Sequence, residues 1–251
     1  MPILMSHGLY LYGIFPAPGP QDCNLEGLDK QPVQTEVVDG FAFLCSEAQQ
    51  ERYLASRRNL LGHEKVLEQA MQAGYHTLLP LQFGLIVESW DTVTKQLTGP
   101  HGFRLEQLFT KLEGQREVGV KLFWQQDLEL QALLEENQSL KAKRDGLEGK
   151  NLSMDEIVSI GQAIEQTVEA RKQDIIETFR AALNPFATEI VENDTLTESM
   201  IYNAAYLIPW DAEPAFSAQV ESLDNQFDQR LKIRYNNLTA PYNFAQFDRL
   251  E

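Results

Sequence analysis

The sequence predicts an α+β protein built in two parts, residues 1–113 and 114–251, and three observations carry that reading. In residues 117–124, Val118, Val120, Leu122 and Trp124 fall at every second position while Gly119, Lys121 and Phe123 take the other parity, the period of a strand with one face in a core. A full set of strand and helix signals precedes this strand, and charged, helix-favouring sequence starts directly behind it at Gln125, so it closes one part of the fold and opens the next. Finally, an apolar stripe through Ile157, Ile160, Ile164, Val168, Ile175, Phe179 and Leu183 repeats at helical spacing over a length of roughly 45 Å, too long for a small domain to cover alone.

In the first part, residues 8–15 read as an inner strand that is apolar on both faces, with Leu9, Leu11, Gly13 and Phe15 on one parity and Tyr10, Tyr12 and Ile14 on the other. Residues 33–38 and 41–45 flank Asp39-Gly40, a two-residue turn of the favoured hairpin type. Ser46 with Gln49 reads as a capping box opening a helix to Ala73, with Gly62 as a break, Gly74 as terminator, and Val66, Leu67, Ala70 and Met71 as the buried face. Residues 76–87 are extended and apolar, and Pro80, lacking an N–H, implies an edge, a bulge or an irregular turn there. Ser89 caps a short helix over residues 91–97, Thr98-Gly99-Pro100 breaks it, and Leu105, Leu108, Phe109 and Leu112 stripe another. The result is β-ββ-α-β-α, helices on one face of a largely antiparallel sheet.

In the second part, Leu130, Leu133, Leu134, Leu140 and Leu147 stand among Glu, Gln and Lys; Leu133, Leu140 and Leu147 are spaced seven apart. Ser153 with Glu156 forms a second capping box ahead of the long stripe, which Asn184-Pro185 ends. Together these segments predict a long helical hairpin with a projecting tip. Residues 199–209 are apolar on both parities, Glu213-Pro214 opens a helix with Phe216, Val220, Leu223 and Phe227 inward, and residues 230–236 alternate Leu231, Ile233 and Tyr235 with Arg230, Lys232 and Arg234. If this last strand lies beside residues 117–124, Lys121 joins its basic face.

The 251-residue chain is 43% hydrophobic, enough for a sizeable core, and its 37 acidic against 21 basic residues give a net charge of -16, which argues against nucleic acid or an anionic membrane as the main partner. No run approaches the ~18 apolar residues of a spanning helix, and residues 1–15 lack the basic start of a signal peptide, so the chain is expected to stay in the cytoplasm. Cys23 and Cys45 have no metal-ligand spacing, and sequence does not decide whether they pair. His63-Glu64 lacks the second histidine of a zinc-protease helix, and the other histidines, His7, His76 and His101, are scattered. No Walker A loop, Gly-x-Ser-x-Gly or Gly-x-Gly-x-x-Gly occurs, and Glu135-Glu136 and Glu189 with Glu192 read as solvated carboxylates in helical, charge-rich surroundings. The residues assign no catalytic group, metal or cofactor, and the expectation is a non-enzyme.

Residues 9–14 (Leu-Tyr-Leu-Tyr-Gly-Ile), 79–84 (Leu-Pro-Leu-Gln-Phe-Gly), 117–124, and 231–235 followed by Ala240-Pro241-Tyr242-Asn243-Phe244 together resemble the GvpF/GvpL family of gas vesicle proteins, in order and over nearly the whole chain. The chain departs after Tyr235, with Asn236-Asn237-Leu238 where a Thr-Gly-Pro type of turn is common in the family. The resemblance implies a ferredoxin-like N-terminal domain, location at the gas vesicle, and a minor component or assembly factor that contacts the hydrophobic shell protein GvpA and other accessory proteins; because a water-excluding wall needs an apolar face, the further expectation is that the protein keeps GvpA from aggregating during nucleation. The alternative is a ferredoxin-like small-ligand-binding protein or enzyme. Candidate partner-binding residues are Pro80 and Phe83 in the interrupted strand and Pro241, Tyr242 and Phe244 in the tail, with the projecting hairpin as a third candidate that sequence does not rank against them.

Overall fold

In a computed structural model, which describes residues 8–21, 24–138, 141–142 and 153–246, the first sheet contains β1 (Leu9–Pro16), β2 (Gln34–Val38), β3 (Phe41–Glu47), β4 (Leu79–Pro80) and β5 (Ile86–Val87). Its order is β2-β3-β1-β4, with β5 also on β1, and the pairings of β1 and of β2 with β3 are antiparallel. This is the strand order of a ferredoxin-like sheet. Its usual first helix is replaced by the connection from β1 to β2, whose described residues carry a 3-10 turn, Leu28–Lys30, inside an antiparallel bridge between Glu26 and Pro32.

Alternation along β1 is interrupted where the sequence reading has it continuous. Leu11 pairs with Cys45 but Gly13 with Leu44, so Tyr12 is an extra residue, and beyond this bulge the faces exchange parity. Phe15 therefore joins Tyr10 and Tyr12 in one core with Leu67, instead of sharing the face of Leu11. Gly13 is required by close approach: a Cβ there would lie 2.8 Å from Leu67 Cδ2.

The hairpin forms as read, with Asp39 at φ 51° and Gly40 at φ 87° between Val38 and Phe41. The Ser46 capping box does not. Ser46 lies inside β3 opposite Tyr10 and its hydroxyl is bonded to that of Tyr12 at 2.9 Å, so it has none to offer a helix. The helix, α1 (Arg57–Gln72), begins eleven residues later, capped by Ser56, and runs unbroken through Gly62, where a Cβ would meet Leu28 Cδ2 at 2.9 Å. Gly74 ends it at φ 99°. The Thr98-Gly99-Pro100 break is likewise absent: α2 (Trp90–Val93), capped by Ser89, passes through a π-turn, Thr94–Thr98, straight into α3 (Gly99–Leu112), which tolerates Pro100 because the proline sits in its first turn.

The second sheet has order β7-β8-β6-β9, from β6 (Gln115–Trp124), β7 (Glu189–Glu192), β8 (Met200–Pro209) and β9 (Leu231–Thr239). The faces of β6 are as the alternation has them: Val118, Val120, Leu122 and Trp124 are buried, and Gly119, Lys121 and Phe123 are partly exposed. β7 was not anticipated; Glu189 and Glu192 lie on a strand, not a helix, and Glu192 accepts two bonds from Arg180 at 2.7 and 2.6 Å. Nor does the chain turn after Tyr235, since Asn236, Asn237 and Leu238 continue β9.

Helices α4 (Gln126–Glu136), α5 (Met154–Leu183) and α6 (Glu213–Phe227) complete the chain. The second capping box is present in both directions, Ser153 accepting from the Glu156 N–H and Glu156 from the Ser153 N–H. Ser153→Ala should lower stability by about 1 kcal/mol, read from the urea midpoint. Leu133 and Leu134 of α4 pack with Ile164 and Val168 of α5; Leu140 and Leu147 lie outside the described residues. Glu129, 1% exposed, adds an ionic tie between Arg171 at 3.9 Å and Arg230 at 3.5 Å. Phe179 of α5 stacks on Phe227 of α6, and Phe216 of α6 meets Tyr206 and Tyr235.

The chain packs as two compact units. One runs to Val118 and includes Leu207–Trp210 and the chain from Asn237; the other comprises Gly119–Tyr206 and Asp211–Asn236. This differs from a division at 113/114 in placing the tail with the first unit, and the physical cause is the tail's own apolar residues, among them Ala240, which is buried in the core around Tyr10 and Tyr12.

Candidate docking site

The interruption at Pro80 builds the site. Pro80 has no N–H to extend the ladder, so β1 pairs with Leu79 and Pro80, loses its partner, and regains one at Ile86 and Val87. Residues 81–85 loop out between, tied at both ends: the Leu81 N–H donates to Tyr12 O and the Leu11 N–H to Leu85 O, each at 3.0 Å. Gly84 takes φ 89° within the loop.

A buried polar relay fixes the loop from beneath. The Gly84 N–H donates to the Tyr10 hydroxyl at 2.9 Å, Tyr10 contacts His63 Nδ1 at 2.9 Å, and His63 Nε2 lies 3.1 Å from Leu81 O. Since a carbonyl only accepts, Nε2 carries the proton and Nδ1 accepts from Tyr10. Burial pushes the His63 pKa down to about 4, so the ring is neutral and keeps this arrangement at neutral pH. Phe83 packs edge-on to Tyr10 and His63, with centroids 6.3 and 6.0 Å away. Tyr10→Phe would leave both the Gly84 N–H and His63 Nδ1 unpaired and should cost about 1–3 kcal/mol in urea unfolding.

The tail supplies the other wall. Phe244 is 1% exposed and Pro241 is buried. Asn243 donates to Glu117 through its N–H at 2.9 Å and its side-chain amide at 2.7 Å, while Lys111 Nζ reaches Phe244 O at 3.4 Å. Glu117 is 4% exposed, and burial raises its pKa to about 7 although both bonds from Asn243 oppose the shift. Between loop and tail lies an open cleft of about 780 Å³, lined by Pro80, Leu81, Phe83, Leu85, Tyr242 and Ala245 among others.

The structure thus brings together Pro80, Phe83 and Tyr242, and places Pro241 and Phe244 in the packing behind them. Sequence reasoning missed Tyr10, His63, Glu117 and Asn243. The parity of Tyr10 hinted at an inward hydroxyl; for Glu117 no local signal exists, because what buries it lies far along the chain. Elsewhere β9 does lie beside β6, and Lys232 and Arg234 are exposed there, with the Arg234 guanidinium 4.6 Å from the Phe123 ring centroid.

Cys45 is a buried free thiol whose pKa burial pushes up to about 12; Cys23 lies outside the described residues. Among the described residues no group of three or more His, Cys, Asp or Glu could hold a metal ion, and no helix is long and apolar enough to cross a membrane.

Comparison with known proteins gives a consistent result. Gas vesicle protein F of Dolichospermum flosaquae is 61% identical over 244 residues, covering 97% of this chain and 100% of that protein. The crystal structure of GvpF from Anabaena sp. PCC7120 superposes with a TM-score of 0.82 at 55% identity, covering 95% of this chain and 96% of that one. The crystal structure of GvpF from Microcystis aeruginosa gives 0.81 at 59% identity, covering 96% and 100%. The family model described as gas vesicle synthesis protein GvpL/GvpF matches residues 8–246, and the chain therefore belongs to the GvpL/GvpF family of gas vesicle proteins.

Proposed function

We propose that this gas vesicle protein acts without catalysis, as a minor component or assembly factor that binds the shell protein GvpA and shields its apolar surface during nucleation. A wall that excludes liquid water must present an apolar face, and before assembly that face is an aggregation hazard. The observation that carries the reading is the cleft between residues 81–85 and the tail: apolar and aromatic side chains held open on a fixed loop in a chain of this family. The net charge of -16 would keep a complex with an apolar client dispersed. GvpA co-expressed with this protein is expected to shift from the pellet to the soluble fraction and to co-purify with it. GvpA equally insoluble with and without the protein, and no association with isolated vesicles, would overturn the reading in favour of a small-ligand role.

A further inference from the structure

The edge of the second sheet has a chemistry of its own. β9 stands at the end of the strand order β7-β8-β6-β9, so among the described strands its outer side has no neighbour. A cleft of about 770 Å³ lies against it, lined by Leu231, Lys232 and Ile233 together with Leu128 of α4, Asp224 of α6 and Asp228 just after α6. Successive residues of a strand point to opposite faces, so a space that touches Leu231, Lys232 and Ile233 in turn runs along the strand's edge and not over one face. Along such an edge every second residue turns its N–H and C=O outward, which makes it a template for another strand.

The two sides of this edge differ. On one, Lys232 and Arg234 are exposed, the Arg234 guanidinium lies 4.6 Å from the Phe123 ring centroid, and Lys121 shares the parity of Phe123 on β6. Among the described residues Lys121, Lys232 and Arg234 enter no ion pair, although the chain carries a net charge of -16. On the other side α6 packs, with Phe216 stacked on Tyr235, so Asp224 and Asp228 stand on the side of Leu231 and Ile233.

We infer that the edge of β9 takes an extended segment of a partner protein as an added strand, with Asp or Glu at every second position over Lys232 and Arg234. Uncharged, apolar residues fill the other parity, against Leu128 and Ile233. A one-residue slip would set the carboxylates against Asp224 and Asp228, so the two sides select register as well as partner. A second copy of this chain pairing antiparallel about Ile233 would set Lys232 against Arg234 twice, which disfavours self-pairing; an acidic strand is what the edge complements. The inference concerns a different surface from the cleft beside residues 81–85 and does not rest on the proposed function.

The test uses the purified full chain and fluorescent peptides: alternating valine and glutamate, the same residues with the glutamates in one block, and alternating valine and lysine. The alternating glutamate peptide is expected to bind about fivefold more tightly than the block peptide or better, and to weaken with added salt. Methylating its alternate backbone nitrogens should abolish binding in one phase and spare it in the other, because only one set faces the ladder. Hydrogen exchange should slow within residues 231–234. The double variant Lys232→Gln, Arg234→Gln should lose the preference for the alternating peptide, with circular dichroism as the control for folding. Equal binding of the alternating and block peptides, equal binding of the lysine peptide, indifference to methylation, or a preference that survives in the double variant overturns the inference. Single-stranded DNA binding as tightly as the alternating peptide also overturns it, in favour of a general polyanion site. If no peptide binds and the double variant self-associates, the cations serve only to keep the edges of two copies apart, and the inference falls.

Discussion

Phe244→Ala is expected to lower the unfolding free energy by about 3–5 kcal/mol, the range for emptying a fully buried aromatic site. The ring is 1% exposed, with Lys111 Nζ 5.7 Å from its centroid, and alanine would leave a cavity that well-packed neighbours can only partly close. The effect should reach the cleft, because Tyr242 and Ala245 flank Phe244 and form its tail-side wall. Urea denaturation gives the loss, and limited proteolysis should show earlier cleavage after residue 239. A loss below about 1 kcal/mol would mean that the tail contributes little to the fold, against its burial.

Glu117→Gln should remove a pH dependence of comparable size. The folded-state pKa is about 7 against an ordinary value of 4.5, so the folded protein holds this proton more tightly than the unfolded chain does. The group's contribution is therefore fully present below about pH 4.5 and is lost as pH rises through about 7. At pH 8 the ionised carboxylate should destabilise the fold by on the order of 3 kcal/mol relative to its protonated form. Glutamine is uncharged, but its amide turns an N–H toward one of the two Asn243 donors, so the variant should be less stable than the wild type near pH 5 while its stability no longer falls between pH 5 and pH 8. Tyr242 of the tail feels Glu117, but burial raises its own pKa, so its hydroxyl stays neutral across this range. Unfolding midpoints at several pH values decide the matter: parallel curves for the two proteins would show that Glu117 does not titrate in this window.

These two residues also mark where sequence reasoning stops. Stripes and alternations were legible because periodicity is a local property: Leu105, Leu108, Phe109 and Leu112 of α3, Phe216, Val220, Leu223 and Phe227 of α6, and the alternating residues of β6 all bury as their spacing says. The capping box at Ser153 was equally legible, since both of its partners sit within four residues. The same pattern at Ser46 failed because a distant hydroxyl, that of Tyr12, claimed the side chain and the ladder with Tyr10 claimed the backbone.

By itself, the sequence determined the fold class, the interruption at Pro80 and, through its ordered run of matching segments, the family. What only the tertiary structure decided is the site. The bulge at Tyr12 re-aims Phe15, Tyr10 and His63 lock the loop after Pro80, and Asn243 meets Glu117 across 126 positions of chain. Hydrogen bonds between residues so far apart leave no mark in a local pattern, because nothing in the spacing of either segment encodes which other segment will lie against it. The pKa of about 7 at Glu117 comes from burial, which the hydrogen bonds from Asn243 only partly offset: the same residue in an isolated strand would be solvated and ionised.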